Sequence, residues 1–304
     1  MERQKNILDF LIVGAAKCGT TSLADYLNQN KAIQIARKKE PKYLTYEFLK
    51  NSGYQGPGDK QTEDYAVKSF EEYIKLFDRK KGHVKLGEAS VDTLYFYQQT
   101  IPKIKKEVGS PKIIIMLRDP VKRAISAYSH LVRDERETES FEKGLELEEF
   151  RMKNGFEFIW AYKDAGLYYD SVKAFRQHFD HVMVLFFEDF IQNPVESTHS
   201  VMDFLGVEEK HTITLSRHNI SGTPKMKGIN RFLSQPSKAK DLVKRIVGQN
   251  AGVLIKNKIQ ERNLNSIEVS KVTKQRLFQH FEDSIEALEE ELNVSLERWK
   301  APYR

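Results

Sequence analysis

Residues Asp9 to Ser22, DFLIVGAAKCGTTS, decide how the 304-residue chain is organised. A short apolar run, Phe10 to Val13, leads into a loop with glycines at Gly14 and Gly19, and hydroxyl residues then open a segment with helical spacing. Glycines let the backbone approach a ligand closely, and the N–H groups at a helix start attract anions. The order of strand, glycine loop and helix therefore predicts a cradle for a phosphate-like group.

The loop nearly fits the nucleotide-binding pattern G-x-x-x-x-G-K-[ST], but Thr20 stands where that pattern requires lysine. The only lysine of the loop is Lys17. Two interpretations are open at this point: a degenerate ATP or GTP loop, or a loop for a differently built phosphate donor that Lys17 reaches. A strand-turn-helix corner without any ligand is the third alternative.

The composition restricts the class of protein. Charged residues at 30% beside 40% hydrophobic residues exclude a mostly disordered chain, and no apolar run approaches the roughly 20 residues that span a bilayer. The start of the chain lacks a signal-peptide pattern, and the single cysteine, Cys18, forms no internal disulfide. We expect a cytoplasmic protein without a membrane partner.

The net charge of +6 is modest and its basic clusters are dispersed, so we expect no nucleic-acid partner. No cluster of histidine, cysteine and aspartate has metal-ligand spacing, and we expect no metal. The oligomeric state leaves no signal in the sequence.

Strand patterns alternate with helical patterns along the chain. We predict buried strands at Ala32 to Ile35, Val84 to Gly87, Lys112 to Leu117 and His181 to Phe187, in addition to the first run. The clearest is KIIIML at Lys112 to Leu117, a continuous apolar run of the kind covered on both faces. We expect one α/β domain over residues 1–304, P-loop-like, with a central, mainly parallel sheet flanked by helices on both faces.

Four further segments are assigned by their composition. Residues 50–62, rich in glycine and polar side chains, are predicted to form a mobile surface loop, and residues 133–162 a second insertion. Residues 216–236 are loop-like, and residues 270–299 carry the spacing of an amphipathic C-terminal helix.

A second motif, Arg118 to Tyr128, follows the clearest strand. Arg118 leaves the strand end, and Ser126 lies about two turns into the predicted helix that follows, so both can face one phosphate. A second phosphate site suggests a nucleotide with phosphates at both ends.

The two motifs together, GAAKCGTTSL and RDPVKRAISAYSH, resemble the sulfotransferase family that uses 3′-phosphoadenosine 5′-phosphosulfate (PAPS). The second motif looks especially like the heparan sulfate sulfotransferase branch and its soluble bacterial relatives. Similar segments recur at residues 39–43, 166–169, 186–190 and 204–207. The resemblance implies a PAPS donor that leaves as adenosine 3′,5′-bisphosphate (PAP).

The resemblance also implies roles for individual residues. The first loop would hold the 5′ end of the donor, the second motif its 3′-phosphate, and a late loop would cover the nucleotide. Lys17 would also neutralise charge on the bridging oxygen as its bond breaks. The implied cofactor-binding residues are Lys17, Cys18, Gly19, Thr20, Thr21, Ser22, Arg118, Ser126, Ser221 and Lys225.

The general base is implied to be Glu88, at the end of a predicted strand. The heparan sulfate branch commonly follows its glutamate with lysine, then serine or threonine, then proline, whereas this chain continues with Ala89, Ser90 and Val91. A histidine is the alternative base, with His83 tested first and His130 also near the motifs. Lys39 and Trp160 are the predicted acceptor-side residues, and residues 50–62 and 133–162 are the predicted acceptor-side insertions.

These observations favour an enzyme that transfers the sulfuryl group of PAPS to a hydroxyl or amine of a small organic acceptor. Sulfation of a carbohydrate or polysaccharide is the alternative. A nucleotide kinase or NTPase with a degenerate loop, and a non-catalytic nucleotide-binding protein, are the competing classes.

Overall fold

Five parallel strands form the central sheet of the computed structural model, which describes residues 7–51, 53–77, 84–215, 223–224, 264–265 and 267–304. The strands are β1 (Phe10–Gly14), β2 (Ile33–Ile35), β3 (Lys85–Ala89), β4 (Lys112–Leu117) and β5 (Val182–Phe186). Their spatial order is β2-β3-β1-β4-β5, and every neighbouring pair is parallel. The predicted α/β fold with a parallel sheet is confirmed.

The first strand occupies the middle of this order, between β3 and β4. Every residue of β1 is buried, as is every residue of β4 after Lys112. Continuous apolar runs suit these positions because helices cover both faces of the sheet. After β1 the chain adds β3 and β2 on one side of it and then adds β4 and β5 on the other side. In α/β folds, ligands bind at the carboxyl ends of the strands where the strand order changes direction in this way.

Helices connect the strands and cover the sheet. In chain order the described α-helices are α1 (Thr20–Leu27), α2 (Tyr43–Leu49), α3 (Asp59–Tyr65), α4 (Phe70–Ile74), α5 (Asp92–Tyr95), α6 (Tyr97–Lys103), α7 (Pro120–Arg133), α8 (Phe141–Lys153), α9 (Tyr169–His178), α10 (Phe187–Gln192), α11 (Pro194–Leu205), α12 (Lys271–Leu292) and α13 (Glu297–Lys300).

The predicted C-terminal helix over residues 270–299 is two helices. Ser270 caps the start of α12 by accepting a hydrogen bond from the Thr273 N–H. Asn293 then adopts a left-handed conformation with φ 52°, which ends α12 because asparagine tolerates that region at a helix end. The chain turns before α13 begins, so the prediction of one continuous helix is wrong at this point.

Part of the predicted mobile loop at residues 50–62 is ordered by a buried carboxylate. Helix α3 begins at Asp59, whose side chain is fully buried. Its oxygens accept hydrogen bonds from the backbone of Gly56 at 2.8 Å, the backbone of Glu157 at 2.7 Å, the indole of Trp160 at 3.1 Å, and Arg136. Hydrogen bonds to Asp59 therefore link the two predicted insertions, residues 50–62 and 133–162.

Only residues 223–224 of the predicted covering loop at 216–236 belong to the described chain. Their backbone forms β6 (Thr223–Pro224), which pairs antiparallel with β7 (Leu264–Asn265). Ser221 and Lys225, predicted to contact the donor, and His83, the alternative base, lie outside the described residues.

Neither a membrane span nor a metal cluster is found among the residues that the structure describes. None of their helices is long and apolar enough to cross a bilayer. Likewise, within the described ranges no group of three or more histidine, cysteine or acidic side chains could hold a metal ion.

Candidate active site

The glycine loop between β1 and α1 has the backbone of an anion cradle. Lys17 and Gly19 both have positive φ, at 70° and 88°, and Gly19 is the residue from which α1 starts. No side chain caps the N-terminus of α1, so its first N–H groups point out toward the loop. A Cβ on Gly19 would come within 2.9 Å of the Phe187 ring, which explains why glycine is required.

The second motif meets this loop directly. One guanidinium nitrogen of Arg118, Nη1, donates to the carbonyl oxygen of Lys17 at 3.1 Å, and the guanidinium lies 4.5 Å from the centre of the Phe187 ring. The Nε atom of Arg118 is buried without a hydrogen-bond partner among the described residues. A buried donor without a partner is costly, and it marks a position for an acceptor such as a phosphate oxygen.

Asp119, the residue after Arg118, caps the N-terminus of helix α7. One carboxylate oxygen of Asp119 accepts from the backbone N–H groups of Val121 at 2.9 Å and Lys122 at 3.2 Å. This cap fixes the first turn of the helix that carries Ser126. Ser126 is 5% exposed.

Positive charge is concentrated around Lys17. Burial, together with Arg133 and Arg118 and against the carboxylates of Asp134 and Glu40, lowers the pKa of Lys17 from 10.5 to about 8. The ammonium of a side chain held in this way is poorly solvated, and an anionic ligand beside it would raise its pKa again.

His130, on α7, belongs to the same group of cations. Burial and the charges of Lys17, Arg133, Arg136 and Lys39 lower the pKa of His130 to about 2. Its Nδ1 atom lies 2.5 Å from the Arg133 guanidinium, so the ring is neutral near pH 7. Such a ring is too weak a base to take a proton from an acceptor.

Glu88 lies away from this cluster. The carboxylate is 1% exposed and accepts hydrogen bonds from the hydroxyls of Tyr73 and Ser90. Burial raises its pKa to about 7, against these hydrogen bonds and the charge of Lys103. Successive side chains of a strand point to opposite faces, so Glu88 faces α4 and α6 while Ala89 faces the cleft described next.

A cleft of about 350 Å³ opens beside the start of α1. Thr20 and Thr21 line one side, and the segment after β2, with Lys39 and Glu40, lines the other. Ser22 is half-buried on the first turn of α1, and Lys39 is exposed. The start of α1 and the Lys39 to Glu40 segment therefore share one concave surface, next to the end of the glycine loop.

Two acidic residues line this cleft, Asp25 and Glu40, and neither is the base that the sequence resemblance implied. Of the two, Glu40 has the unusual backbone and the perturbed carboxyl. Its backbone has φ 46°, a conformation that is uncommon outside glycine and clusters at functional sites. Burial raises its pKa, against the charges of Lys42 and Lys39. The sequence carried one signal, because charged residues directly after the carboxyl end of a parallel strand lie at the edge where ligands bind.

Two other predicted contacts lie beneath the surface. Trp160 is 1% exposed and donates its indole N–H to Asp59, so it packs in the core and does not form an acceptor-side wall. Cys18 is fully buried, and burial raises the pKa of its thiol to about 11. The Cys18 thiol lies within hydrogen-bond distance of the Ala16 carbonyl oxygen and the Tyr168 hydroxyl, so its side chain packs under the loop and does not line the cleft.

The comparisons with known proteins agree with this geometry. A sequence profile described as "Sulfotransferase domain" matches residues 8–249. The crystal structure of a sulfotransferase from Alicyclobacillus acidocaldarius is 32% identical, with a TM-score of 0.74 over 96% of this chain and 98% of that one.

Curated relatives are more distant in sequence. Mouse heparan sulfate glucosamine 3-O-sulfotransferase 3A1 is 23% identical over 81% of this chain and 60% of its own length. Mouse carbohydrate sulfotransferase 15 is 28% identical over 43% of this chain and 28% of its own length. The chain thus spans 60% or less of the curated relatives that it matches. With the profile covering most of its length and a bacterial homologue matched from end to end, the chain belongs to the sulfotransferase family.

Proposed function

We propose that the protein transfers the sulfuryl group of PAPS to a hydroxyl or amine of an organic acceptor, releasing PAP. The observation that carries the proposal is the junction of Arg118 with Lys17, which joins the two predicted phosphate sites at the ends of β1 and β4. A kinase or NTPase needs a lysine at the position of Thr20, which is absent.

The residues present suit a nucleotide with phosphates at both ends. The uncapped start of α1 and the tight approach at Gly19 suit the 5′ end. The unpartnered Nε of Arg118 suits the 3′-phosphate, together with Ser126 of α7. When bound, the donor supplies the activated sulfuryl group, whose sulfur–oxygen bond to the phosphate breaks.

Lys17 is proposed to stabilise the departing phosphate. Its ammonium lies on the loop at which the 5′ end would sit, among cations that favour an anion. Charge grows on the bridging oxygen as the bond breaks, and a fixed ammonium there lowers the barrier. Groups already held in place also avoid reorganisation at the moment of reaction.

The general base is proposed to be Glu40, with Glu88 as the alternative. Glu40 lies in the cleft beside the loop, close enough to Lys17 to affect its pKa, whereas Glu88 is closed off by Tyr73 and Ser90. A raised carboxyl pKa suits a base that must take a proton near neutral pH. The acceptor oxygen or nitrogen bonds to sulfur, and its proton passes to Glu40.

The acceptor is proposed to be a small organic molecule, with a carbohydrate as the second candidate. The names of the curated relatives, which include heparan sulfate glucosamine and carbohydrate sulfotransferases, favour the second. The cleft volume of about 350 Å³ is small, which favours a compact acceptor or one sugar unit. Both belong in the same acceptor panel.

The activity is tested by incubating the protein with labelled PAPS and a panel of phenols, amines and oligosaccharides, and by measuring PAP release. We expect Glu40→Gln to lower turnover by about 10² to 10⁴ with donor affinity unchanged, because a general base contributes about that much. The exposed Glu71→Gln is the matched control and should retain full activity.

The same assay separates the two carboxylates. Glu88→Gln should keep turnover within about tenfold if its role is to hold Tyr73 and Ser90. A collapse with Glu88→Gln and full activity with Glu40→Gln would return the base to Glu88. Absence of PAP release with every acceptor, together with tight ATP binding, would reject the sulfotransferase activity.

A further inference from the structure

A chain of buried hydrogen bonds joins the residues around α13 to the ends of β4 and β5. The Tyr303 hydroxyl donates to Asp119 Oδ2 at 2.7 Å, and Asp119 is fully buried. The Trp299 indole donates to Glu188 Oε2 at 3.1 Å. The other oxygen of Glu188 accepts from the backbone N–H of Asp119 at 3.1 Å. The C-terminal residues thus contact Asp119 by two routes, one direct and one through Glu188.

The two oxygens of Asp119 have different partners. Oδ1 caps α7 through the Val121 and Lys122 N–H groups, while Oδ2 accepts from the Tyr303 hydroxyl and pairs with the Lys122 ammonium at 3.3 Å. The Tyr303 hydroxyl therefore shares with Lys122 the task of orienting the carboxylate, and with it the first turn of the helix that carries Ser126.

Arg118 is held between the same groups. It precedes Asp119 in the chain, and its guanidinium lies against Phe187, the residue before Glu188. Its carbonyl oxygen accepts from the Tyr168 hydroxyl at 3.0 Å. Asp119 is thus the chain neighbour of Arg118 itself, and Glu188 is the chain neighbour of Phe187, which packs against the Arg118 guanidinium.

We propose that Tyr303 and Trp299 are positioning residues for the 3′-phosphate of the donor. They hold Asp119 and Glu188 so that Arg118 and Ser126 form one phosphate site. The inference rests on the proposed function, because it needs a nucleotide that carries a 3′-phosphate. Tyr303 and Trp299 donate to Asp119 and Glu188, beside Arg118, whereas the glycine loop is one contact further away, through the bond from Arg118 to the Lys17 carbonyl oxygen. We therefore expect a larger effect at the 3′ end of the donor than at its 5′ end.

The test compares two nucleotides that differ only at the 3′ position. Tyr303→Phe removes the hydroxyl and keeps the ring, and calorimetric titration gives Kd for PAP and for adenosine 5′-phosphate, which lacks the 3′-phosphate. We expect PAP binding to weaken about tenfold and adenosine 5′-phosphate binding to change less than twofold. In steady state the KM for PAPS should rise while kcat stays within twofold.

Trp299→Phe provides a second, independent variant and should show the same selectivity. Tyr169→Phe is the control, because it removes a tyrosine hydroxyl that pairs only with Lys173 among the contacts described here. It should leave both Kd values unchanged. Thermal unfolding without ligand checks that each variant is folded.

Three results would overturn the inference. Unchanged PAP affinity in both variants would show that the contacts do not position the site. Equal weakening of both nucleotides would show a general structural role. If the unmodified protein binds PAP no tighter than adenosine 5′-phosphate, the proposed function itself fails, and the inference fails with it.

Discussion

Lys17 combines two functions in one residue. Its carbonyl oxygen accepts a hydrogen bond from Arg118, which fixes the loop, while its ammonium is surrounded by other cations. The backbone of Lys17 is in the left-handed region, with φ 70°, so the chain turns at this residue. The P-loop pattern has its lysine directly after the second glycine, whereas Lys17 lies two residues before Gly19.

The lowered pKa of Lys17 makes a prediction about pH. Below pH 8 the ammonium is charged in the free protein and PAP binds without taking up a proton. Above pH 8 binding must first protonate the amine, so Kd should rise by up to about tenfold per pH unit. Calorimetric titration between pH 6.5 and 9.5, in buffers of different ionisation enthalpy, measures both the affinity and the proton uptake.

Lys17→Met is the companion variant for this measurement. It should bind PAP more weakly at pH 7 and show a flat profile across the same range, because the titrating group has been removed. Retention of the slope in Lys17→Met would assign the pH dependence to another residue.

At the scale of elements, a buried ion network joins α3 to the segment before α9. Glu157 accepts from Lys42 at 2.9 Å and from Arg136 at 3.1 Å, while Arg136 also pairs with Asp59. Burial alone would lower the pKa of Lys42, but Glu157 and Asp92 raise it above its usual value. Lys42 lies two residues after Glu40, so the network holds the segment that carries Glu40.

Asp59→Ala should be strongly destabilising. It leaves the Trp160 indole and two backbone N–H groups without their buried acceptor and removes one of the two carboxylates that pair with Arg136. Breaking a buried ion pair costs about 3 to 5 kcal/mol. Urea unfolding followed by circular dichroism gives the free energy. Asp64→Ala, in the same helix but exposed, should cost less than about 0.5 kcal/mol. A similar loss in both variants would mean that the buried network adds nothing.

The sequence predicts elements well where one local pattern determines them. KIIIML is confirmed residue for residue as β4. Helix α11 ends at Gly206, whose left-handed φ of 76° is a conformation that favours glycine. The end of the C-terminal helix at Asn293 was missed because the apolar spacing continues across it to Trp299.

The burial of a side chain by residues that are distant in the sequence cannot be predicted from a local pattern. Asp59 sits in a polar, glycine-rich stretch typical of a surface loop, and its partners lie 77 and 101 residues further along. The sequence pointed to Glu88 as the base, with a histidine as the alternative, and gave Glu40 no such role. The packing of Tyr73 and Ser90 around Glu88, and the place of Glu40 in the cleft, depend on contacts between distant segments that no local pattern shows.

At the scale of the whole molecule, ligand binding should be measurable as stability. A ligand that binds only the folded state stabilises it by about 2.7 kcal/mol at a hundred times its Kd. We therefore expect PAP to raise the midpoint of thermal unfolding by several degrees, whereas ATP at the same concentration should not. Arg118→Ala should abolish the PAP shift. A larger shift with ATP would favour the nucleoside triphosphate class.

The hydrogen bond between Tyr303 and Asp119 spans 184 residues of chain, and this has a consequence for synthesis. At about 5 to 20 residues per second, a ribosome needs roughly 10 to 40 seconds to pass from one partner to the other. The central sheet can assemble during that interval, since β5 ends at Phe186. The proposed phosphate-binding motif at Arg118 is then already packed on the sheet, but the tyrosine that holds its neighbour is made 184 residues after Asp119. A nascent chain would acquire its fold well before it acquires tight nucleotide binding.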